Sequence, residues 1–214
     1  MSSDSAPINL THHFLIAMPG LNDELFGRSV VYVCEHSPQG ALGLIVNKPA
    51  GVTLGELFER LELPLGRPDW ADMPVLRGGP LQTERGFVLH EAIGEPVPLV
   101  AGADGDDAGP EGAAPPTAYA STLKVAGTRL ELTTSRDVLE AVSVGAGPRH
   151  MLLALGYSSW GEGQLESELG DNAWLTVPAD ESLLFDVPLA QRYERALALL
   201  GLQPWMLTPG AGRA

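Results

Sequence analysis

Residues 156–175 form the segment with the greatest potential for chemistry. They bring glycines, serine hydroxyls, the rings of Tyr157, Trp160 and Trp174, and four carboxylates into twenty residues. Apolar runs lie on both sides, which predicts a strand, a glycine-rich turn, a short helix and a second strand. An arrangement of this kind displays polar groups at the ends of elements, so several chemistries are open to it.

A nucleophilic serine is the first of these chemistries. Ser158 follows an apolar run and precedes the predicted helix, as in the nucleophile elbow of many hydrolases. The elbow requires the spacing G-x-S-x-G, whereas the next glycine here, Gly161, stands three residues after Ser158. The spacing therefore disfavours a serine nucleophile. Cys34 lies in the middle of a predicted strand, where a small buried hydrophobe is the commoner role.

Phosphate binding is the second possibility, because glycines before a helix can direct backbone N–H groups at an anion. Gly156, Gly161 and Gly163 fit neither the phosphate-loop nor the dinucleotide spacing, and the segment contains no lysine. Its carboxylates would repel an anion. Tight turns are the favoured explanation for these glycines.

A metal site would need ligands from several strands. Cys34 and His36 are expected to share one strand face, with His13 and His90 at the ends of other strands. Hydrogen-bonded histidines at strand ends are the commoner alternative, and we predict no metal ligands and no cofactor.

Recognition of an acidic group is favoured by three arginines. Arg28, Arg77 and Arg85 stand at predicted strand ends, and Arg77 introduces Gly78-Gly79-Pro80. Guanidinium groups in such positions can clamp a carboxylate or an acidic partner. The commoner alternative is pairing with the 27 acidic residues of the chain itself.

A shallow groove is favoured by the polar residues around the tryptophans. Gln164, Glu166 and Asn172 flank Trp160 and Trp174, a combination that suits ligand binding. In the alternative, Asn172 only caps a helix and both indoles are core residues.

The elements that must position these residues are grouped strands with helices placed irregularly between them. Residues 29–36 and 41–47 are predicted to form a hairpin around a turn at 37–40. The first helix should begin at Thr53, which forms a capping box with Glu56. The pattern predicts an α+β fold with a mixed β-sheet.

Two further helices have weaker boundaries. Thr134 or Ser135 is expected to cap a helix that ends near Gly145. An amphipathic helix is predicted over residues 189–200, with Gly201 as its natural end.

Composition excludes several classes of function. The 13 basic and 27 acidic residues give a net charge of −14, which opposes binding to DNA and to anionic lipid. The chain begins without the pattern of a secretory signal, and its aliphatic runs are far shorter than a bilayer span. With a single cysteine, these features predict a cytoplasmic protein that neither crosses a membrane nor binds nucleic acid directly.

The motifs, taken in order, resemble the AlgH/YqgE family of bacterial proteins. They are HFLIAMPG (13–20), RSVVYVCEH (28–36), GALGLIVNKP (40–49), GGP (78–80), RGFVLH (85–90), TTSRD (133–137) and the segment 156–175. The resemblance implies a single α+β domain with a complex mixed sheet flanked by helices. It also implies a label as a transcriptional regulator, through association with alginate regulation, and it supplies no catalytic residues or cofactor.

The resemblance also brings signature positions and two departures. The signature positions are Arg28, Glu35, His36, Asn47, Arg77, Gly78, Gly79, Thr134, Ser135, Tyr157, Trp160, Gly161, Gln164, Glu166 and Asn172. The acidic insertion at 101–116 is longer than the family norm, and the chain ends in AGRA where the family commonly has Gly-His-Ala.

We therefore predict a non-enzymatic regulatory module that binds a protein or a small molecule in a surface groove between the 157–172 turn and the Arg77-Gly-Gly turn. A hydrolase that uses carboxylate or histidine groups is the alternative. The candidate binding residues are Arg28, His36, Arg77, Gly78, Gly79, Tyr157, Trp160, Gly161, Gln164, Glu166 and Asn172. 

The predicted domain organisation is simple. A flexible tail at 1–12 precedes one domain at 13–202, and a second tail follows at 203–214. A mobile insertion rich in proline, glycine and acids occupies 101–116 within the domain.

Overall fold

The computed structural model describes residues 8–21, 23–93 and 118–207, in which ten strands form one mixed sheet surrounded by five α-helices. The strands are β1 His13–Ala17, β2 Val30–Ser37, β3 Gly40–Ile45, β4 Pro49–Thr53, β5 Pro74–Arg77, β6 Leu81–Glu91, β7 Thr122–Lys124, β8 Leu130–Thr133, β9 Met151–Trp160 and β10 Trp174–Pro178. The helices are α1 Leu54–Arg60, α2 Asp137–Ser143, α3 Gln164–Gly170, α4 Glu181–Phe185 and α5 Leu189–Leu199, with short 3₁₀ helices at Pro68–Trp70 and Pro204–Leu207.

The sheet confirms the predicted α+β class and its mixed character. Its spatial order is β10-β1-β2-β3-β9-β6-β8-β7, and a ribbon of β4 and β5 joins it at β9. The β5–β9 pair is parallel, and the other strand pairs of the described residues are antiparallel. The predicted insertion at 101–116 lies outside the described residues.

Strand β9 connects the two halves of the sheet. Its first half pairs with β6 on one side and with β5 on the other, and its last three residues pair with β3. The expectation that the chain turns at Gly156 was wrong, because pairing continues to Trp160. Gly156 has a φ of +73°, which lets the strand bend without leaving the sheet.

Both faces of the central strands are covered, so β1, β2 and the first part of β9 are apolar at consecutive positions instead of alternating. On one face Phe14 and Tyr32 pack in the same core as residues of α4 and α5. On the opposite face Leu15 and Val31 share a core with Leu165 of α3. A third core is shared by α1, α2 and the strands β5, β6 and β9.

Local signals identified the hairpin and two helices correctly. Strands β2 and β3 pair around the turn at 37–40, and Gly201, with a φ of +70°, follows α5. Thr53 and Glu56 form the predicted capping box of α1. The helix ends at Arg60, before Pro64, because Glu62 takes a left-handed φ of +57°.

The predicted cap of α2 was wrong. The residue before this helix is Arg136, and neither Thr134 nor Ser135 bonds to its first turn as a cap. The Ser135 hydroxyl instead shares its one hydrogen between the Asp137 carboxylate and the Ala120 carbonyl, which ties the helix start to the preceding loop.

The described chain already packs against the sheet before the predicted domain start at His13. Leu10 is buried, and the amide of His12 donates to the Val33 carbonyl at 2.9 Å. Throughout the described ranges, the helices are too short to traverse a bilayer.

Candidate functional site

Residues 156–175 are called the signature segment below, and its two tryptophans are core residues. Trp160 and Trp174 are 4% and 5% exposed, and their rings meet edge to face with centroids 6.0 Å apart. Both indole N–H groups donate to Oε2 of Glu168, at 2.9 and 2.8 Å. Sequence reasoning missed Glu168. The available signal was that two buried indoles need an acceptor and that this carboxylate follows Gln164 by one helical turn.

Gln164 and Asn172 hold the ends of α3. Oε1 of Gln164 accepts from the Gly161 amide at 3.0 Å, and its Nε2 donates to Glu168 at 3.0 Å. Asn172 takes a left-handed φ of +58° just after the helix, where Asn is one of the residues that tolerate this conformation. The alternative stated from the sequence, with core tryptophans and a capping Asn172, therefore describes their positions.

His36 is buried beside the same helix. Its Nδ1 accepts from the Leu10 amide at 3.0 Å, and its Nε2 donates to Oε1 of Glu166 at 2.9 Å. Both ring nitrogens are therefore engaged. Glu166 is half exposed, so this pair fastens the chain before β1 to α3.

The expected Cys34 and His36 face does not form. A bulge between Val33 and Glu35 shifts the register, so Cys34 points into the core under α5 while His36 lies opposite Ala41 on the other face. Burial raises the pKa of the Cys34 thiol well above its usual range. In the described part of the chain, no group of three His, Cys, Asp or Glu side chains could hold a metal ion.

His90 is likewise part of the packed interior. It is fully buried, with Nδ1 near the Glu91 carbonyl at 2.8 Å and Nε2 near the Thr133 hydroxyl at 2.9 Å. Burial lowers the pKa of His90 below its usual value of 6.5, with smaller opposing effects from the Glu91 carbonyl and the Glu131 charge. The ring therefore favours its neutral form.

Ser158 and the paired glycines mark a close crossing of backbones. A β-carbon at Gly78 would lie 2.2 Å from the Gly156 oxygen, and one at Gly79 would lie 2.2 Å from the Tyr157 backbone. The buried Ser158 hydroxyl donates to the Gly78 carbonyl at 3.3 Å. The chain between β5 and β6 can therefore cross β9 only where side chains are absent.

Three segments converge beside this crossing. The ammonium of Lys48 donates to the Leu25 carbonyl at 2.5 Å, and the Lys48 carbonyl accepts from the Arg77 amide at 2.8 Å. Asn47 accepts from the Val30 amide at 2.8 Å and donates to the Arg28 carbonyl at 2.9 Å. The loop at 23–28, the start of β4 and the end of β5 are thus fixed to one another.

A cleft of about 410 Å³ lies between these segments. We call it the Arg77 cleft, and its lining residues are Glu24, Leu25, Ala50, Arg77, Gly79, Pro80, Thr83 and Leu155. Its volume is within the range of roughly 300–1,000 Å³ that is common for ligand sites. Burial lowers the pKa of Lys48, which the Arg77 charge also lowers and the Asp23 charge opposes.

The loop that carries Glu24 rests on the tryptophan pair. The Phe26 ring packs edge to face on Trp174 with centroids 5.6 Å apart, and it lies 6.5 Å from the Trp160 ring. Asp23 Oδ1 accepts from the amides of Leu25 and Phe26 at 2.8 and 2.6 Å. The tryptophans of the signature segment therefore pack against the loop that forms one wall of the cleft.

The structure divides the eleven predicted site residues between separate places. Arg77 and Gly79 line the cleft, with Gly78 directly beside them. Arg28 lies over the Tyr193 ring at 4.8 Å, and Tyr157 packs on Phe87. The others surround α3; they are His36, Trp160, Gly161, Gln164, Glu166 and Asn172. Their role in binding stays a prediction.

A wider cavity of about 600 Å³ lies at the opposite end of β6. Glu91 on its wall is 3.1 Å from Nδ1 of His150, and Arg129 and Arg149 also line it. Its lining includes Ile93, which is the last described residue before the range resumes at 118. None of the predicted site residues lines this cavity, whereas Arg77 and Gly79 line the Arg77 cleft.

Comparison with known proteins gives consistent matches over the whole chain. A family model described as AlgH-like matches residues 14–205. UPF0301 proteins from Paracidovorax citrulli and Polaromonas are 65% and 58% identical, in each case with full coverage of both chains. The solution structure of the AlgH protein from Pseudomonas aeruginosa is 44% identical, with a TM-score of 0.68 and full coverage of both chains.

A more distant structure shows how widely the fold extends. A crystal structure of a protein from Corynebacterium diphtheriae is 21% identical and has a TM-score of 0.61, covering 90% of this chain and 88% of its own. At this identity the likeness concerns the fold alone.

Proposed function

Since the chain belongs to the AlgH-like family, we propose that it is a non-enzymatic regulatory module, and that the Arg77 cleft binds a small molecule through a carboxylate group. The proposal keeps the surface groove expected from the sequence and places it at the Arg77-Gly-Gly turn. The segment at 157–172 acts as support for that groove and not as its second wall.

The observation that carries the proposal is the state of the Arg77 side chain. Within the described ranges, its guanidinium forms no ion pair or hydrogen bond, although the chain contains 27 acids. Arg28 and Arg85 differ, since Arg28 covers the Tyr193 ring and Arg85 donates to the Thr134 hydroxyl at 2.8 Å. Of this trio, Arg77 is the one that lines a cleft and whose guanidinium has neither a hydrogen bond nor a ring contact among the described residues.

The surroundings suit a small organic acid. Leu25, Pro80 and Leu155 supply apolar surface, and Thr83 supplies a hydroxyl. A few polar groups on a largely apolar wall are typical of sites that orient small ligands. Arg77 can present two parallel N–H groups to a carboxylate, which gives direction as well as attraction.

The test is a binding screen with organic carboxylates. Ligands that raise the melting temperature of the wild-type chain are measured by titration calorimetry against Arg77→Ala, Arg77→Lys and the surface control Arg60→Ala. We expect affinity to fall about tenfold or more in Arg77→Ala, because a charge-assisted pair contributes about 1.5–3 kcal/mol. Arg77→Lys should be intermediate, since lysine keeps the charge and loses the fork geometry.

Two results would count against the proposal. The first is equal affinity in Arg77→Ala and wild type, which would place the carboxylate elsewhere. The second is a chemically changed ligand, detected by mass spectrometry after incubation with the protein. Turnover of that kind would favour the hydrolase alternative.

A further inference from the structure

We infer that the Arg77 cleft selects zwitterions of amino-acid size with an apolar side chain, and that Glu24 recognises their amine. This inference rests on the proposed function and adds the second charged contact and the class of ligand. It follows from the Glu24 carboxylate, the fixed loop beneath it and the charge of the cleft lining.

Glu24 is the acidic counterpart of Arg77 in the cleft. Glu24 lines the cavity, and its carboxylate forms no hydrogen bond or ion pair with the described residues. The backbone beneath it is held in place, because Lys48 donates to the Leu25 carbonyl and approaches the Glu24 carbonyl at 3.5 Å. The Glu24 carboxylate is thus free to pair with a cationic group of a ligand.

Lys48 does not duplicate the role of Arg77. Its ammonium is committed to the carbonyls of the 23–28 loop, and its stem is partly buried. The ionisable side chains of the described lining are therefore one acid and one base, Glu24 and Arg77. A ligand with one negative and one positive group matches both, whereas Glu24 would repel a second carboxylate.

The remaining lining sets the size and the polarity of the ligand. Leu25, Ala50, Pro80 and Leu155 add apolar surface to the same cleft. The volume of about 410 Å³ is at the small end of the ligand-site range. Those limits favour a single amino acid with an aliphatic or aromatic side chain.

The test compares matched ligands by titration calorimetry at low salt. L-leucine and L-phenylalanine are measured beside 4-methylpentanoate and 3-phenylpropanoate, which lack the amine, and beside the N-acetylated amino acids, which lack its charge. We expect at least one of the two amino acids to bind about tenfold or more tightly than both of its analogues, the one without the amine and the N-acetylated one. Glu24→Gln should remove this preference, and the exposed control Glu59→Gln should retain it.

The outcomes separate this inference from the proposed function. One outcome is equal affinity for the amino acids and their analogues, with loss of all binding in Arg77→Ala. It would overturn the recognition of the amine by Glu24 and leave the carboxylate site intact. Tighter binding of the N-acetyl forms would instead indicate the end of a peptide chain and would also overturn it. If the screen finds no carboxylate that depends on Arg77, the proposed function fails together with the inference.

Discussion

Glu168 determines how the signature segment packs. One of its oxygens accepts from both indoles and the other accepts from Gln164, so three side chains of two strands and one helix depend on it. Phe26 packs on the same indoles and belongs to the loop of the Arg77 cleft. A residue that touches no part of the cleft therefore positions one of its walls.

Replacement of Glu168 by alanine should leave two buried indole N–H groups without an acceptor. We expect the free energy of unfolding to fall by about 2–4 kcal/mol, because each unsatisfied buried donor costs about 1–3 kcal/mol. Denaturant titration followed by tryptophan fluorescence measures the change. Glu162→Ala removes an exposed carboxylate from the preceding turn and should change stability by no more than about 0.5 kcal/mol. Equal effects in both variants would show that the indole bonds contribute nothing.

At the level of single residues, the sequence shows what a side chain can do but not which partner it meets. The need of Trp160 and Trp174 for an acceptor follows from their chemistry. Their joint use of Glu168 depends on β9, α3 and β10 meeting in space, which no local spacing encodes. The availability of Arg77, in contrast to Arg85, depends equally on tertiary neighbours.

Among the elements, the crossing of the β5–β6 connection over β9 fixes the cleft. Arg77 ends β5 directly before this crossing, and Leu155 lies in β9 directly before Gly156. The Gly78 amide donates to the Leu155 carbonyl at 2.8 Å, and the Gly78 carbonyl accepts from the Ile45 amide at 2.8 Å. The contact between backbones therefore holds the arginine at the mouth of the cavity.

A methyl group at this crossing should be poorly tolerated. In Gly79→Ala the new β-carbon would lie 2.2 Å from backbone atoms of Tyr157, and those atoms cannot rotate away. We expect a loss of about 3 kcal/mol or more in unfolding free energy, or failure to fold. Gly86→Ala in β6 is the matched control, since nothing lies within 4 Å of its β-carbon. It should change the melting temperature only slightly. Comparable losses in both variants would mean that the crossing is not the critical feature.

The elements that could be predicted are those specified by neighbouring residues. The β2–β3 hairpin follows from two apolar runs around a short turn, and α1 follows from the box of Thr53 and Glu56. The continuation of β9 to Trp160 and the bulge at Cys34 were not predicted. The continuation of β9 depends on pairing with β3, which is distant in the chain. The bulge lies inside the local β2–β3 hairpin, where one extra residue changes the face of the side chains without altering the apolar pattern.

For the molecule as a whole, the net charge is strongly negative, whereas the charges of the Arg77 cleft lining balance. The whole chain has an excess of 14 negative charges, while the cleft lining contains one acid and one base. Dicarboxylates and polyanions meet a repulsive field on approach, whereas a zwitterion carries no net charge. The composition therefore supports the same ligand class as the site and opposes direct contact with DNA.

The same excess of charge should make stability depend on ionic strength. Self-repulsion destabilises a compact chain, and salt screens it over a Debye length of about 8 Å at 0.15 M. We expect the melting temperature to rise by about 2–4 °C between 10 mM and 0.2 M NaCl, equivalent to about 1 kcal/mol, and then to level off. The double variant Glu59→Lys and Glu194→Lys changes two exposed acids and lowers the net charge from −14 to −10, so its rise should be smaller. A steady increase up to 1 M salt in both proteins would contradict the prediction, because exclusion of salt from apolar surface, and not charge repulsion, would then explain the stabilisation.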